Sequence, residues 1–331
     1  MTIEVPLTEL VEYTASGVKS AFWTSDLAER QFLERYLPAN FEFDQVPMTF
    51  KVTFLGATDQ VIYTNGVQKV SRDGSISITY PNYYTASSLY FHTTPKSEVK
   101  ELRTSFRSID GRELPVVVYV KATAWTNLES LKSKTAEVFQ ELEKDYGAFP
   151  HPSITVYNSG MGGMEYCGAT ITAVSALGHE LFHSYFARGM MPANGNSGWL
   201  DEALASWRDE GYQRTTTLSG SSQMSAHPLY TRTTDRAAYS FGARFMSYLD
   251  GKMQDKGGLK LFLRHVIENR VHQPLFVEEF NKEMGEFYGR SVDEDFKRYT
   301  YGAKSNDILI QDSTESGHHR KLTLAELKAA L

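Results

Sequence analysis

The segment His179-Glu180-Leu181-Phe182-His183 sets two imidazoles four residues apart, with a carboxylate just after the first. On a helix, residues four apart lie one turn above each other on one face, so both rings can address a single ion. The intervening glutamate lies beside them, within reach of a water on the open side of that ion. Zinc accepts neutral histidine nitrogen and carboxylate oxygen in tetrahedral geometry, and a hydrolytic site keeps its fourth position open. Glu202 offers the missing carboxylate. It follows His183 after eighteen intervening residues, in Trp199-Leu200-Asp201-Glu202-Ala203-Leu204-Ala205-Ser206-Trp207. That stretch has the pattern of a helix, and Gly189, Pro192, Gly195 and Gly198 allow the chain to turn back before it. Ser206, one turn beyond Glu202, is a candidate to orient a ligand through a hydrogen bond. The expectation is one Zn2+ on His179, His183 and Glu202, with Glu180 as general base. A structural zinc site would favour thiolates and four protein ligands, and the chain has a single cysteine, Cys167.

The elements that must position these residues are mixed in type. Thr49–Leu55, Val61–Thr64, Ser75–Tyr80, Ser88–His92 and Pro115–Val120 are short and rich in β-branched and aromatic residues. Turn signals such as Thr64-Asn65-Gly66 and Arg72-Asp73-Gly74 separate them, so the region reads as mostly β. Asp26–Tyr36 has the spacing of a short amphipathic helix. From about 126 the period lengthens. Leu128–Tyr146 reads as a helix closed by Pro150 and Pro152. A strand at Ser153–Tyr157, a glycine-rich turn at 159–163 and a strand at Gly168–Val174 follow. Helices are expected at about 175–188, 200–211, 236–254, 257–269, 275–287 and 291–300. A Ser/Thr-rich loop covers 213–234, and a polar tail runs from 303 to 331 with a short amphipathic stretch at 322–331. The fold class is α+β.

Together these residues resemble the gluzincin zinc aminopeptidases of the aminopeptidase N type. The His-Glu-x-x-His segment with Glu202 in Trp-Leu-Asp-Glu-Ala is one part of the likeness. Gly162-Gly163-Met164-Glu165-Tyr166, similar to the Gly-x-Met-Glu-Asn exopeptidase signature of that family, is the other. Weaker similarity extends from about 41 to 302, through Phe43-Asp44-Gln45-Val46-Pro47 and Tyr239-Ser240-Phe241-Gly242-Ala243. The resemblance implies a β-rich N-terminal domain (1–110), a thermolysin-like catalytic domain (111–302) and a polar tail (303–331). It implies that Glu165, with Gly162 and Gly163, binds the free amino end of a peptide. It also implies that Tyr239 donates its hydroxyl to the oxyanion, with Tyr230 as runner-up. Tyr166 stands where the signature has asparagine, and the stretches 165–179 and 202–239 are shorter than the family's. The family's large C-terminal helical domain has no counterpart, which leaves either a more open cleft or a second copy covering it in a homo-oligomer.

Bulk properties exclude some alternatives. A formal net charge of −6 and a pI near 5.9 argue against a nucleic-acid partner, whose binders concentrate basic charge. No apolar stretch approaches the roughly 20 residues that span a bilayer, and Met-Thr-Ile-Glu-Val-Pro-Leu does not read as a secretory leader. With one cysteine, these features point to the cytoplasm. The expected activity is removal of the N-terminal residue from peptides with a free amino end. A zinc endopeptidase, a hydrolase of non-peptide substrates and a non-catalytic binding scaffold would use the same residues differently. His318-His319 fall in the polar tail.

Overall fold

Pro115-Val116-Val117-Val118-Tyr119-Val120 has the composition of a strand covered on both faces. In the computed structural model it lies within a five-stranded sheet. That model describes residues 11–15, 17–22, 43–57, 59–193, 195–228 and 234–302. The helix expected at 26–36, Tyr230, and the tail with His318-His319 and the 322–331 stretch lie outside the described residues. The strand order in the sheet is Gly163–Tyr166, Ala169–Thr172, Ile154–Asn158, Glu113–Lys121, Val99–Arg107. The three inner strands are mutually parallel, with Val118 opposite Val156 and Val156 opposite Thr170. Parallel neighbours need a crossover, and the helix Leu128–Tyr146 supplies the first. Asn127 caps its start by accepting the Ser130 amide, and Gly147, at φ 99°, ends it in a conformation that favours glycine. Leu131, Val138, Phe139, Leu142 and Tyr146 recur at helical spacing and join Val116, Val118, Ile154 and Val156 in one core.

Both outer strands are antiparallel additions that the sequence reading did not include. Val99–Arg107 pairs with Glu113–Lys121 along its whole length, Phe106 opposite Leu114. This hairpin straddles residue 110. Its first strand, Val-Lys-Glu-Leu-Arg-Thr-Ser-Phe-Arg, lies at the sheet edge, is mostly exposed and carries little apolar signal. At the other edge, the glycine-rich turn expected at 159–163 leads into the strand Gly163–Tyr166, with Glu165 opposite Thr170. Gly168 makes the return possible. Its φ is 69°, and a Cβ there would lie 2.3 Å from the Ser153 carbonyl oxygen.

The helices that follow are Leu177–Phe182, Leu200–Asp209, Phe241–Lys252, Gly258–Arg270, Val277–Tyr288 and Asp293–Thr300. Two expectations need correction. The helix at 175–188 spans only 177–182, because the chain folds back on itself at once: the Arg188 amide bonds the His183 carbonyl and the Met190 amide bonds that of Tyr185. The helix at 236–254 is broken at Ser240, which separates a 3-10 turn at Arg236–Tyr239 from Phe241–Lys252.

The β-rich part holds a four-stranded sheet (Val11–Thr14, Gly17–Phe22, Phe91–Pro95, Gln60–Thr64) and a three-stranded one (Thr49–Val52, Ile76–Thr79, Val67–Val70). The strand expected at 88–92 is displaced to 91–95. Ser88 instead belongs to a buried turn whose carbonyl accepts from Asn65 and from the Cys167 amide. Tyrosines join this part to the site sheet. Tyr63 stacks on Tyr119 at 3.7 Å and Tyr119 on Tyr157 at 4.6 Å. The Tyr90 and Tyr119 hydroxyls share a hydrogen bond, and Nδ1 of His92 is 2.8 Å from the Tyr119 hydroxyl. Among the described residues, no helix is long and apolar enough to cross a membrane.

Candidate active site

The short helix Leu177–Phe182 presents His179 and, at its end, His183. The helix Leu200–Asp209 returns alongside it with Glu202. Glu202 Oε2 lies 3.0 Å from His179 Nε2 and 3.5 Å from His183 Nε2. One donor atom from each of the three residues falls within 4.8 Å of the others. Glycines flank the helix that carries Glu202 on two sides. A Cβ on Gly178 would lie 2.6 Å from Arg208 Nη1, and one on Gly242 would lie 2.7 Å from the Ala203 Cβ, next to Glu202. Burial alone would lower the pKa of His179, but hydrogen bonds to Asp209 and Glu202 push it up to about 9. His183 is likewise raised despite its burial, mainly by the charge of Glu202. The cluster is therefore a place that stabilises positive charge. Its donors, two imidazole nitrogens and a carboxylate, suit Zn2+. The thiol of Cys167 is directed elsewhere, against the Arg188 carbonyl at 3.9 Å. Nδ1 of His183 is buried without a hydrogen-bond partner, which leaves Nε2 as the engaged nitrogen.

Glu180 is buried, at 7% exposure, and points to the edge strand. A Cβ added to Gly163 would fall 1.8 Å from its Oε1, so the carboxylate occupies the space a side chain at 163 would need. Burial, assisted by the charges of Glu165 and Glu202, raises the Glu180 carboxyl to about 7, against the opposing pull of His183 and His179. A buried carboxyl in that place is positioned to take a proton from a group in the shared space and return it.

Glu165 projects from the edge strand into the same space, with a carboxylate oxygen within 4.8 Å of donor atoms of Glu180 and His183. Its Oε1 accepts a hydrogen bond from Arg188 Nη2 at 2.9 Å. Tyr239 ends the 3-10 turn that Asp235 caps. Its phenol is half-exposed and its pKa is raised, first by burial and then by the charge and hydrogen bond of Glu202. Gly162, at φ 54°, carries the chain into the edge strand.

Sequence reasoning missed two residues. Asp209 Oδ2 meets Nδ1 of His179 at 2.7 Å, the orienting role expected of Ser206. Asp209 lies two turns past Glu202 on the same helix face, so the helical period alone would have exposed it. Arg208 supports it, with Nη1 at 3.3 Å from Asp209 Oδ1 and a two-pronged pair to Glu141 at 3.0 and 2.7 Å. Arg188 left no sequence signal, because its meeting with Glu165 depends on the fold-back after His183.

The fold is similar to that of solved M1 zinc metallopeptidases, the aminopeptidase group whose motifs the sequence resembles. An M1 zinc metallopeptidase from Deinococcus radiodurans, solved as a mutant bound to a Tyr-Ser-Ala substrate, superposes with a TM-score of 0.65 at 17% identity. The match covers 86% of this chain and 70% of that one. Aminopeptidase A from Legionella pneumophila, in complex with aspartic acid, gives 0.64 at 16% identity over 88% of this chain and 38% of that one. A two-domain M1 zinc metallopeptidase bound to L-arginine gives 0.62 at 18% identity, over 82% and 66%. At such identities the likeness establishes the fold. No protein-family model and no curated protein sequence matches the chain.

Proposed function

We propose that this chain is a zinc-dependent aminopeptidase that removes the N-terminal residue of peptides. The observation that carries the reading is the convergence of His179, His183, Glu202, Glu180 and Glu165 around one small space, two overlapping clusters sharing His183. His179, His183 and Glu202 would hold one Zn2+. When bound, the ion supplies Lewis acidity toward a water and toward the substrate carbonyl. Glu180 takes the proton of the attacking water and returns it to the leaving nitrogen. Tyr239 donates its hydroxyl to the carbonyl oxygen as negative charge develops there, a contribution of ~3 kcal/mol when such a donor is preorganised. Glu165 accepts the substrate ammonium in a charge-assisted hydrogen bond, which fixes the distance from the amino end to the bond that breaks. Gly162 and Gly163 carry the strand that holds it. The working division is a β-rich part over 1–110, a catalytic part over 111–302 and a tail over 303–331. The strand 99–107 joins the catalytic sheet from the N-terminal side. The cytoplasm is the proposed compartment.

The test compares short peptides with free and acetylated amino ends, with and without a chelator. Loss of only the first residue from free-ended peptides, abolished by chelator, is the expected result. Equal cleavage of acetylated peptides would make the enzyme an endopeptidase and remove the role of Glu165. Bound zinc without cleavage of either would turn the reading toward a non-peptide substrate or a binding scaffold.

A further inference from the structure

Arg188 lies deep in the protein, at 5% exposure, five residues past His183. Its place is set by the fold-back that ends the motif helix, where its amide bonds the His183 carbonyl at 3.0 Å. The guanidinium spans two different parts of the molecule. Nη2 bonds Glu165 Oε1 at 2.9 Å, and Nη1 bonds Ser87 Oγ at 2.9 Å, in the buried turn between two β-rich segments. That turn is held by hydrogen bonds of its own. Ser87 Oγ meets Thr85 Oγ1 at 3.0 Å, and the Ser88 carbonyl bonds the Cys167 amide two residues beyond Glu165.

A buried ion pair is weak evidence for stability, since apolar residues of similar volume often serve a core as well. Arg188 also leaves its Nε buried without a partner, which an optimised structural pair would avoid. What the arrangement does accomplish is geometric. Glu165 has a flexible side chain on an edge strand, beside a second carboxylate, and its angle would otherwise vary. Arg188 holds Oε1, and a carboxylate oxygen of Glu165 lies within 4.8 Å of donor atoms of Glu180 and His183.

We propose that Arg188, braced by Ser87, is the positioning residue that aims one oxygen of Glu165 at the substrate's amino group. This rests on the reading of Glu165 as the amine anchor. Because the partner guanidinium offsets the anchor's charge, recognition here depends on the direction of one hydrogen bond more than on net attraction. Small changes in the brace should therefore be felt by substrates with a free amine and not by those without one.

The experiment measures binding of L-phenylalaninamide and of N-acetyl-L-phenylalaninamide to the zinc-loaded full chain by calorimetry, in a Glu180→Gln background that suppresses turnover, with residues 87 and 188 as in the wild type, with Ser87→Ala and with Arg188→Lys. Ser87→Ala removes only the brace and keeps the ion pair, so it carries the test if the arginine variant does not fold. The expected result is a loss of roughly tenfold in affinity for the free amide in either variant, with the acetylated amide unmoved and zinc content unchanged. In turnover, with Glu180 in place, the effect should fall on KM more than on kcat. If the variants keep the wild-type ratio between the two amides, Arg188 is an ordinary structural pair and the proposal is overturned, while the aminopeptidase reading survives. If the background protein itself binds both amides alike, Glu165 is not the anchor and both fall.

Discussion

Replacing Gly163 with alanine would add one methyl group, and the structure says where it goes. The new Cβ would lie 1.8 Å from Glu180 Oε1, 2.3 Å from Cδ and 3.0 Å from Cγ. An ordinary contact begins near 3.4 Å, so the carboxylate must retreat by about 1.6 Å. The backbone at 163 is extended and has no left-handed conformation to lose, so the strain falls on the Glu180 side chain. Misplacing a catalytic group by about 1 Å is worth roughly 100-fold in rate, or ~3 kcal/mol in the barrier. Overpacking of this size typically costs the fold ~1–3 kcal/mol, and less where a flexible side chain can yield. Gly163→Ala should therefore bind zinc as the wild type does, unfold within a few degrees of it, and turn over about 100-fold more slowly. The assay is kcat on an aminoacyl anilide, alongside metal content and thermal unfolding. A variant with full zinc and more than half the wild-type kcat would refute the placement of Glu180 against the edge strand, and with it the explanation of why residue 163 is glycine.

Two further outcomes follow from other parts of the molecule. Asp209→Ala should weaken zinc binding by about 10- to 100-fold, because Nδ1 of His179 loses the carboxylate that fixes its orientation; competition against a chromogenic chelator reads this, and unchanged affinity would return the orienting role to another residue. His92 and His151 are held at about 3 by burial, well below the ordinary 6.5. They stay neutral in the fold while the unfolded chain takes up protons, so the stability they leave intact at neutral pH is lost as pH falls from 6.5 toward 3. The loss is on the order of a few kcal/mol for each. Thermal unfolding between pH 6.5 and 5 should show it, with a shallower fall in His151→Gln; identical slopes would remove His151 from the acid response.

The meeting of the candidate site residues was more legible in the sequence than the edges of the sheets. The trio His179, His183 and Glu202 follows from the helical period and ligand chemistry, and the structure brings the three together. The helices at 128–146, 200–209 and 258–270 were within a residue or two of expectation, since their apolar stripes repeat over several turns. Edge strands were the opposite case. Val99–Arg107 and Gly163–Tyr166 hold their place by backbone pairing to one neighbour, and their side chains carry little periodic signal. The break at Ser240 carried no proline to mark it, only a backbone at φ −123° and ψ −61° between the two elements. Asp209 could have been read from spacing. Arg188 and Ser87 could not, since they lie 101 positions apart and only the fold brings them within hydrogen-bonding distance.

The tyrosine stack between the β-rich strands and the site sheet bears on how the protein comes apart. Tyr63 and Tyr90 reach across to Tyr119, Tyr157 and Tyr166, and each such ring buries about 150–250 Å². Separating the two sheets would expose that aromatic face and strand the hydroxyls that now satisfy one another. Neither side has reason to melt alone. The β-rich segment thus acts as a thermodynamic partner of the site sheet, and heating should produce one cooperative transition in which the candidate active site survives until the whole molecule yields.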